Sequence, residues 1–417
     1  MNDSVIIGLD IGTANIRVVV AEKMEAGGFQ IIGIGVAESI GMRKGTVTNI
    51  EGSVQGINSA VESAEMMSGV EIDHCFVALG GAHIEGLNSR GVFPLNNKGK
   101  NNHEIDKTDI DAVINSAKAI VIPLDREIIH VIPQSYTVDG QSGIKDPLNM
   151  IGVRLEAEVH IITGSVTSLK NMIVCVNRAN LHVDGFMHHG LADVKSVMTK
   201  EERELGSILI DIGAGTTEIA VIYNGAPIMT AVIPVGGIQV TNDLAVIKKL
   251  PFDVAEKIKI SVGCCWSDFI EENEQVLLPG VAGRGPEEIL KSEICEIFQE
   301  RMAELFAIIK NKVTAFTKGV YLSGSVVICG GGALLSGTVE LASEIFDLPS
   351  VRLGVPTIAG GVTGEYRSPE FASVLGLIWN AYEDRNKADA AAVSGNEGSN
   401  KVLKALKQVP HFFKELF

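Results

Sequence analysis

Residues 207–223 read SILIDIGAGTTEIAVIY. Ile208 to Ile210 form a short β-rich run that ends on Asp211. Gly213-Ala214-Gly215-Thr216-Thr217 follows, and a second β-rich run extends from Ile219 to Tyr223. Two runs of β formers around a glycine-rich interruption predict strand, turn, strand. Glycine lets such a turn bend tightly and lets backbone N–H groups approach an anion. The two threonines add hydroxyl donors. Asp211, at the strand end, stands where a carboxylate holds Mg²⁺ through water, since this ion keeps most of its hydration shell and takes few protein ligands. Taken alone, the stretch reads equally as an ordinary hairpin.

The pattern occurs twice. Residues 5–20, VIIGLDIGTANIRVVV, set Asp10-Ile11-Gly12-Thr13 between two apolar runs, and Asp10-Ile11-Gly12 repeats as Asp211-Ile212-Gly213. A third glycine turn, Gly330-Gly331-Gly332, follows the apolar run Val326 to Cys329. Two phosphate hairpins, one near the start of each half, predict a duplicated α/β fold with a nucleotide between the halves.

The 417 residues imply two or more domains. With 46% hydrophobic and 21% charged residues the chain buries a large core, which excludes a disordered protein. A formal net charge of −16 argues against wholesale nucleic-acid binding, which needs a basic face. The six cysteines, at 75, 175, 264, 265, 295 and 329, show no metal spacing and fit a reducing cytoplasm. No basic segment precedes Val5, so no signal peptide is expected, and no apolar run approaches the ~18 residues that span a bilayer.

In chain order, residues 5–36 predict three strands, 51–68 a helix and Cys75 to Leu79 a buried strand. Residues 84–161 read as an insertion: a polar loop at 96–102, a helix from Asp106 to Ala119, and strands at Glu127–Val138 and Val153–Ile162. A helix at 166–179, a strand at His182–Phe186 and a helix near Asp193–Met198 follow. Beyond the second hairpin come helices at Val240–Leu250 and Phe252–Lys259, a long helical stretch at 285–318, strand, turn and helix over 326–346, and a last helix at 371–382. Residues 385–400, RNKADAAAVSGNEGSN, read as a flexible linker.

The two Asp-x-Gly hairpins, the Gly-Gly-Gly turn and Ala255-Glu256-x-x-Lys259 together resemble the actin/Hsp70/sugar-kinase nucleotide-binding fold. Within it, Asp125 to Gln134, Val138-Asp-Gly140, Gly143 to Pro147, Gly152 to Leu155 and His160 to Thr163 are similar to the inserted subdomain of the bacterial FtsA family. Gly236-Gly237 with Val240 to Asp243 also fits, and the resemblance covers residues 5–384. It implies a duplicated, actin-like (ribonuclease H-like) two-lobed fold lacking the usual second small subdomain. Its parts are 1A at 1–83, continued at 162–205 and about 368–384; 1C, the insertion at 84–161; 2A at 206–240 and 320–367; and 2B at 241–319.

The resemblance further implies ATP and Mg²⁺ as cofactors, self-assembly into protofilaments, and tethering of FtsZ filaments to the cytoplasmic face of the inner membrane at the division site. The FtsZ tail would dock on 2B, with a long helix between Arg284 and Arg301, and later division proteins on the insertion. By position, Asp10, Gly12 and Thr13 resemble the first phosphate turn, and Asp211, Gly213, Gly215 and Thr216 the second. Gly236 and Gly237 join the nucleotide site. Glu256 and Lys259 resemble the ribose and adenine contacts, and Gly330, Gly331 and Gly332 the adenosine turn. Asp10 and Asp211 would hold Mg²⁺ through water. Two departures stand out: Ala214 between glycines, and Glu218 where aspartate is usual. Related proteins place a water-positioning acidic residue near His188-His189-Gly-Leu-Ala-Asp193. The local candidates are His189 and Asp193, and the paired histidines read either as a base or metal site or as core or surface residues.

Alternatives on the same fold are a small-molecule kinase, which would need a base facing a substrate cleft, and a chaperone, which would need a further domain after residue 384. The closing residues bear on the first reading. In 401–417, KVLKALKQVPHFFKELF, Val402, Leu406, Val409, Phe413 and Leu416 share one helical face, which Leu403, Phe412 and Phe417 widen. Lys401, Lys404, Lys407 and Lys414 lie elsewhere around the helix. This is the pattern of an interfacial helix on anionic lipid, too short and too charged to span. A helix docked on the protein's own core is the alternative, and Pro410 predicts a kink or a second helical start.

Overall fold

The computed structural model describes residues 4–25, 27–95, 103–280, 285–347, 350–357 and 366–393. The tail at 401–417, the end of the expected linker and the polar loop at 96–102 lie outside these residues.

The first lobe opens with β1 (Val5–Ile11), β2 (Asn15–Lys23) and β3 (Phe29–Glu38), then a small hairpin of β4 (Met42–Arg43) and β5 (Thr46–Val47), helix α1 (Ile50–Ser68) and β6 (His74–Leu79). The inserted unit follows: β7 (Glu85–Pro94), β8 (His103–Glu104), α2 (Lys107–Lys118), β9 (Arg126–Val138), β10 (Gln141–Ile144), β11 (Ile151–Gly152) and β12 (Arg154–Ser165). The chain returns through α3 (Val166–Arg178), β13 (His182–His188), α4 (His189–Val197) and α5 (Lys200–Leu205).

The second lobe contains β14 (Ser207–Ile212), β15 (Thr217–Tyr223), β16 (Ala226–Ile233), α6 (Gly237–Lys248), α7 (Phe252–Val262), β17 (Gln275–Leu278), β18 (Glu287–Leu290), α8 (Lys291–Phe316), β19 (Val326–Cys329), α9 (Thr338–Phe346) and β20 (Val351–Leu353). Helix α10 (Ala372–Val393) ends the described chain.

The two main sheets have one topology. The first orders its strands β3-β2-β1-β6-β13, the second β16-β15-β14-β19-β20. In each, the first three strands are antiparallel and the last two run parallel to the first. The repeat read from Asp-Ile-Gly is thus a repeat of whole lobes. Strand β1 is buried along its entire length, because helices cover both sheet faces. α1 packs on β3 so closely that a Cβ on Gly35 would sit 2.8 Å from Ala64 N. Across the opposite face, Val374, Leu375 and Ile378 of α10 share a core with Ile6, Val19 and Ile31. Between the sheets, α4 supplies Val194 and Val197 to a core shared with Leu209, Ala220 and Val327.

The inserted unit is a four-stranded antiparallel sheet, ordered β10-β9-β12-β7, with α2 against it. Asp106 and Asp109 cap α2 reciprocally, which places its start where the sequence puts it. The unit emerges from the first lobe yet bonds to the second: Asn88 Nδ2 donates to Ile228 O at 2.9 Å, Gln134 Nε2 to Pro227 O at 2.8 Å, and His160 Nε2 pairs with Thr230 Oγ1 at 2.8 Å.

Several expectations are corrected. The stretch 285–318 is not helical throughout. Glu287–Leu290 is a strand paired with Gln275–Leu278, and the helix begins only at Lys291. Pro286, which lacks an N–H, immediately precedes this strand, and the pairing buries Ile289. The long helix expected from Arg284 is shortened accordingly. Residues 385–393, expected as linker, continue α10. Their alanines are strong helix formers, and Gly395 is the first glycine beyond them. Helix α4 starts at His189 rather than near Asp193, α6 starts at Gly237 rather than Val240, and the sequence reading omits β16 and α5.

Candidate functional site

The two glycine turns close in the same way. Gly12 N donates to Asn15 O at 3.1 Å, and Gly213 N donates to Thr216 O at 2.9 Å. The hairpins then put Asp10 opposite Arg17 and Asp211 opposite Glu218 in register. Both turns open on one cavity of about 650 Å³ between the lobes, a volume within the usual range for small-molecule sites.

Of the residues singled out in the sequence, Asp10, Gly12, Thr13, His189, Asp211, Gly213, Thr216, Gly237, Glu256, Lys259, Gly330, Gly331 and Gly332 line this cavity. Gly215 and Gly236 stand behind it. A Cβ on Gly215 would sit 2.9 Å from Thr13 Oγ1, so this glycine lets the two turns touch. A Cβ on Gly236 would sit 2.8 Å from Ala214 O. The α6 N-terminus clasps the second turn directly: Gly237 N donates to Gly213 O at 2.9 Å and Ile238 N to Ala214 O at 2.8 Å. Those first helical N–H groups hold the turn in place and are not free for an anion.

On the second-lobe wall, Lys259 Nζ lies 2.8 Å from Glu256 Oε2 and donates to Gly237 O at 3.1 Å and Thr241 Oγ1 at 2.9 Å. Thr241 in turn donates to Glu256. The pair one helical turn apart is therefore rigidly set. Gly330 adopts φ +83°, and Gly331 begins a short 3₁₀ turn that brings backbone to the wall.

The histidine pair is neither surface nor idle core. His188 is fully buried, and its Nε2 lies 3.1 Å from Glu218 Oε2. His189 opens α4 at the cavity wall, with Nε2 3.1 Å from Asp10 Oδ1 and Nδ1 3.5 Å from Glu218 Oε1. Burial opposes charge on His189, but Asp10 and Glu218 outweigh it and hold its pKa well above the usual histidine value. For His188 burial prevails and the pKa falls. Burial also works against the Glu218 carboxylate, yet the two histidines pull its pKa down to about 2. Glu218 Oε1 further accepts from Gly81 N at 3.1 Å. The extra methylene relative to aspartate thus carries this carboxylate to the far side of the junction.

Burial, and Glu218 next, push Asp211 up to about 7. Asp193 does not line the cavity. It is fully buried behind it, accepts from Ser373 Oγ at 2.7 Å, and lies with Cys329 close to Asp211. Burial and the Asp211 carboxylate raise its pKa well above the usual range. Asp193 is thus placed to modulate Asp211, not to touch a ligand.

Sequence reasoning missed Gly80 and Gly81, which line the cavity after β6 as Gly330 and Gly331 do after β19. The duplication was the available signal. It also missed Gly45, Arg17 with its partner Glu370, and Ser336.

A hard divalent cation fits the end of the cavity where the two hairpin turns meet. Asp10 Oδ1 is buried, with His189 Nε2 3.1 Å away as its neighbour, and Asp211 lines the same cavity.

The comparisons with known proteins agree with this geometry. The family described as "Cell division protein FtsA" matches residues 208–376, and that described as "SHS2 domain inserted in FTSA" matches residues 81–163. The cell division protein FtsA of Borreliella burgdorferi is 42% identical over 100% of both chains. The chain belongs to the FtsA family. FtsA of Pseudomonas aeruginosa is 38% identical, over 96% of this chain and 94% of its own. Among solved structures, the PilM-PilN type IV pilus biogenesis complex superposes with a TM-score of 0.64 at 14% identity, covering 90% of this chain and 98% of that one. MreB 5 of Spiroplasma citri bound to AMPPNP gives 0.53 at 14% identity, covering 95% and 100%. These two likenesses show the fold: this FtsA-family chain is an actin-like α/β protein carrying an inserted SHS2 domain.

Proposed function

We propose that this FtsA-family chain binds Mg·ATP in the inter-lobe cavity, polymerises, and tethers FtsZ filaments to the cytoplasmic face of the membrane at the division site. One observation carries the nucleotide reading: two duplicated hairpins with the same closing hydrogen bond open on one cavity of about 650 Å³, faced by a third glycine turn. Thr13, Thr216 and the backbone of the glycine turns bind phosphate. Asp10 and Asp211 would hold Mg²⁺ through water, and the ion would offset phosphate charge. Glu256 and Lys259 contact ribose and adenine, and the backbone of Gly330 to Gly332 receives the base. His189 contacts the phosphate end, and hydrolysis is at most slow.

The tether reading rests on family membership and on the 401–417 pattern. Among the described residues no helix is long and apolar enough to cross a membrane, so anchoring would fall to that amphipathic segment. The FtsZ tail docks on the 241–319 region, and later division proteins on the inserted unit. Sedimentation with anionic vesicles, ATP and FtsZ tests this. FtsZ should pellet with vesicles only when this protein is present and only with its own tail intact. Co-pelleting by tailless FtsZ would refute the docking.

A further inference from the structure

The turn between β4 and β5 touches the phosphate end of the cavity without any role yet. Its arms are two residues each, Met42 opposite Val47 and Arg43 opposite Thr46. Between them Lys44 has φ +51° and Gly45 φ +72°, the backbone of a type I′ turn. A lysine holds this left-handed conformation only where its surroundings impose it. Here they do. Gly45 N donates to Thr13 Oγ1 at 3.1 Å, and Ala82 N donates to Lys44 O at 3.1 Å. A Cβ on Gly45 would sit 2.9 Å from Gly80 O, and one on Gly215 would sit 3.1 Å from Lys44 Cα. The tip is thus wedged among the first phosphate turn, the second, and Gly80–Gly81.

The basic groups at the cavity wall are already paired. Asp10, Asp211, Glu256 and Glu370 line it, against Arg17, His189 and Lys259. Each of those bases already sits beside a carboxylate: Arg17 beside Glu370, His189 beside Asp10, Lys259 beside Glu256. A bound triphosphate would bring further negative charge towards Asp10 and Asp211, and a single divalent ion offsets only part of it. Among the described residues, the Lys44 ammonium has no ion-pair or hydrogen-bond partner. Its stem reaches about 6 Å from the Cα, and that Cα is fixed against both phosphate turns.

We propose that Lys44 is a ligand of the terminal phosphate of a bound nucleoside triphosphate, delivered by the β4–β5 turn as a compact positive charge. The assignment rests on the reading of the cavity as a nucleotide site and refines it. On this assignment Lys44 makes the site distinguish triphosphate from diphosphate, with Glu256 and Lys259 at the nucleoside end and the tip against the two phosphate turns.

Titration of the full chain with Mg·ATP and with Mg·ADP tests this, comparing the wild type with Lys44→Gln and Lys44→Arg. A lost charge-assisted contact to phosphate corresponds to roughly 10- to 100-fold in affinity. Lys44→Gln should lose about that factor for Mg·ATP while its Mg·ADP affinity changes less than about threefold, and Lys44→Arg should recover most of the loss. Retained ADP binding reports that the variant is folded. Equal losses for the two nucleotides, or no loss for either, would overturn the assignment. Failure of the wild type to bind either nucleotide would instead overturn the nucleotide reading itself.

Discussion

Gly330→Ala, set against Gly331→Ala, isolates what the third glycine turn contributes. Gly330 has φ +83° and ψ 167°, a region open essentially to glycine alone that costs an alanine about 1–3 kcal/mol. Its Cβ would also overlap Asp211 Oδ1 and sit 2.6 Å from Ile212 O. One of those neighbours is backbone of the second hairpin, and the other is a buried carboxyl at the cavity. Forcing them aside is overpacking, which costs roughly 1–3 kcal/mol more. The expected loss is therefore about 2–6 kcal/mol. At roughly 2–4 °C per kcal/mol for a unit of this size, the second-lobe transition should fall by about 4–24 °C. Asp211 moves with it, so Mg·ATP affinity should fall as well. Gly331 is the control: its φ is unremarkable, and a Cβ there meets nothing within 4 Å. Gly331→Ala should melt within about 2 °C of the wild type. Thermal scanning with and without nucleotide measures both. Equal melting temperatures for Gly330→Ala and the wild type, or equal destabilisation by the two substitutions, would refute the argument.

Acid should weaken the junction of the inserted unit. Burial pushes His83 and His160 down to about 4 and His130 to about 3. The folded chain therefore refuses protons that the unfolded chain accepts, and stability falls as pH drops from about 6.5 towards 4, by up to about 2 kcal/mol per histidine at pH 5. Asp211, raised to about 7, acts with the opposite sign. The informative readout is thus the difference: His160→Gln should melt with a shallower dependence than the wild type between pH 6.5 and 5, and parallel curves would contradict this. At the other end of the chain, Phe413→Glu with Leu416→Glu should abolish pelleting with anionic vesicles and leave ATP affinity unchanged. Undiminished pelleting would move the membrane contact elsewhere.

The fold was legible where the chain repeats itself. Asp10-Ile11-Gly12 and Asp211-Ile212-Gly213 sit between long apolar runs, and both became hairpins opening on one cavity. The insertion read at 84–161 overlaps the matched SHS2 domain at 81–163. Short elements were not legible. Met42–Arg43 and Thr46–Val47 are too brief to show a period, so the turn they carry left no mark in the sequence. Glu287–Leu290 was absorbed into the helix that follows because its apolar residues also suit helical spacing. The roles of His188, His189, Glu218 and Asp193 depend on contacts between lobes far apart in sequence. Local reading placed His189 and Asp193 together, but the structure puts one at the cavity and the other behind it.

Calorimetric titration of the wild type and Asp211→Ala with ATP, with and without Mg²⁺, tests the central claim most directly. Asp211 lies between the second hairpin and the Gly330 turn, and its folded-state pKa of about 7 already reflects an unfavourable burial. Removing its carboxyl should therefore leave the fold intact. The account predicts a single Mg²⁺-dependent site in the wild type and affinity at least about tenfold weaker in Asp211→Ala, with an unchanged melting profile in the absence of nucleotide. Undiminished affinity for Mg·ATP in a folded Asp211→Ala would contradict it.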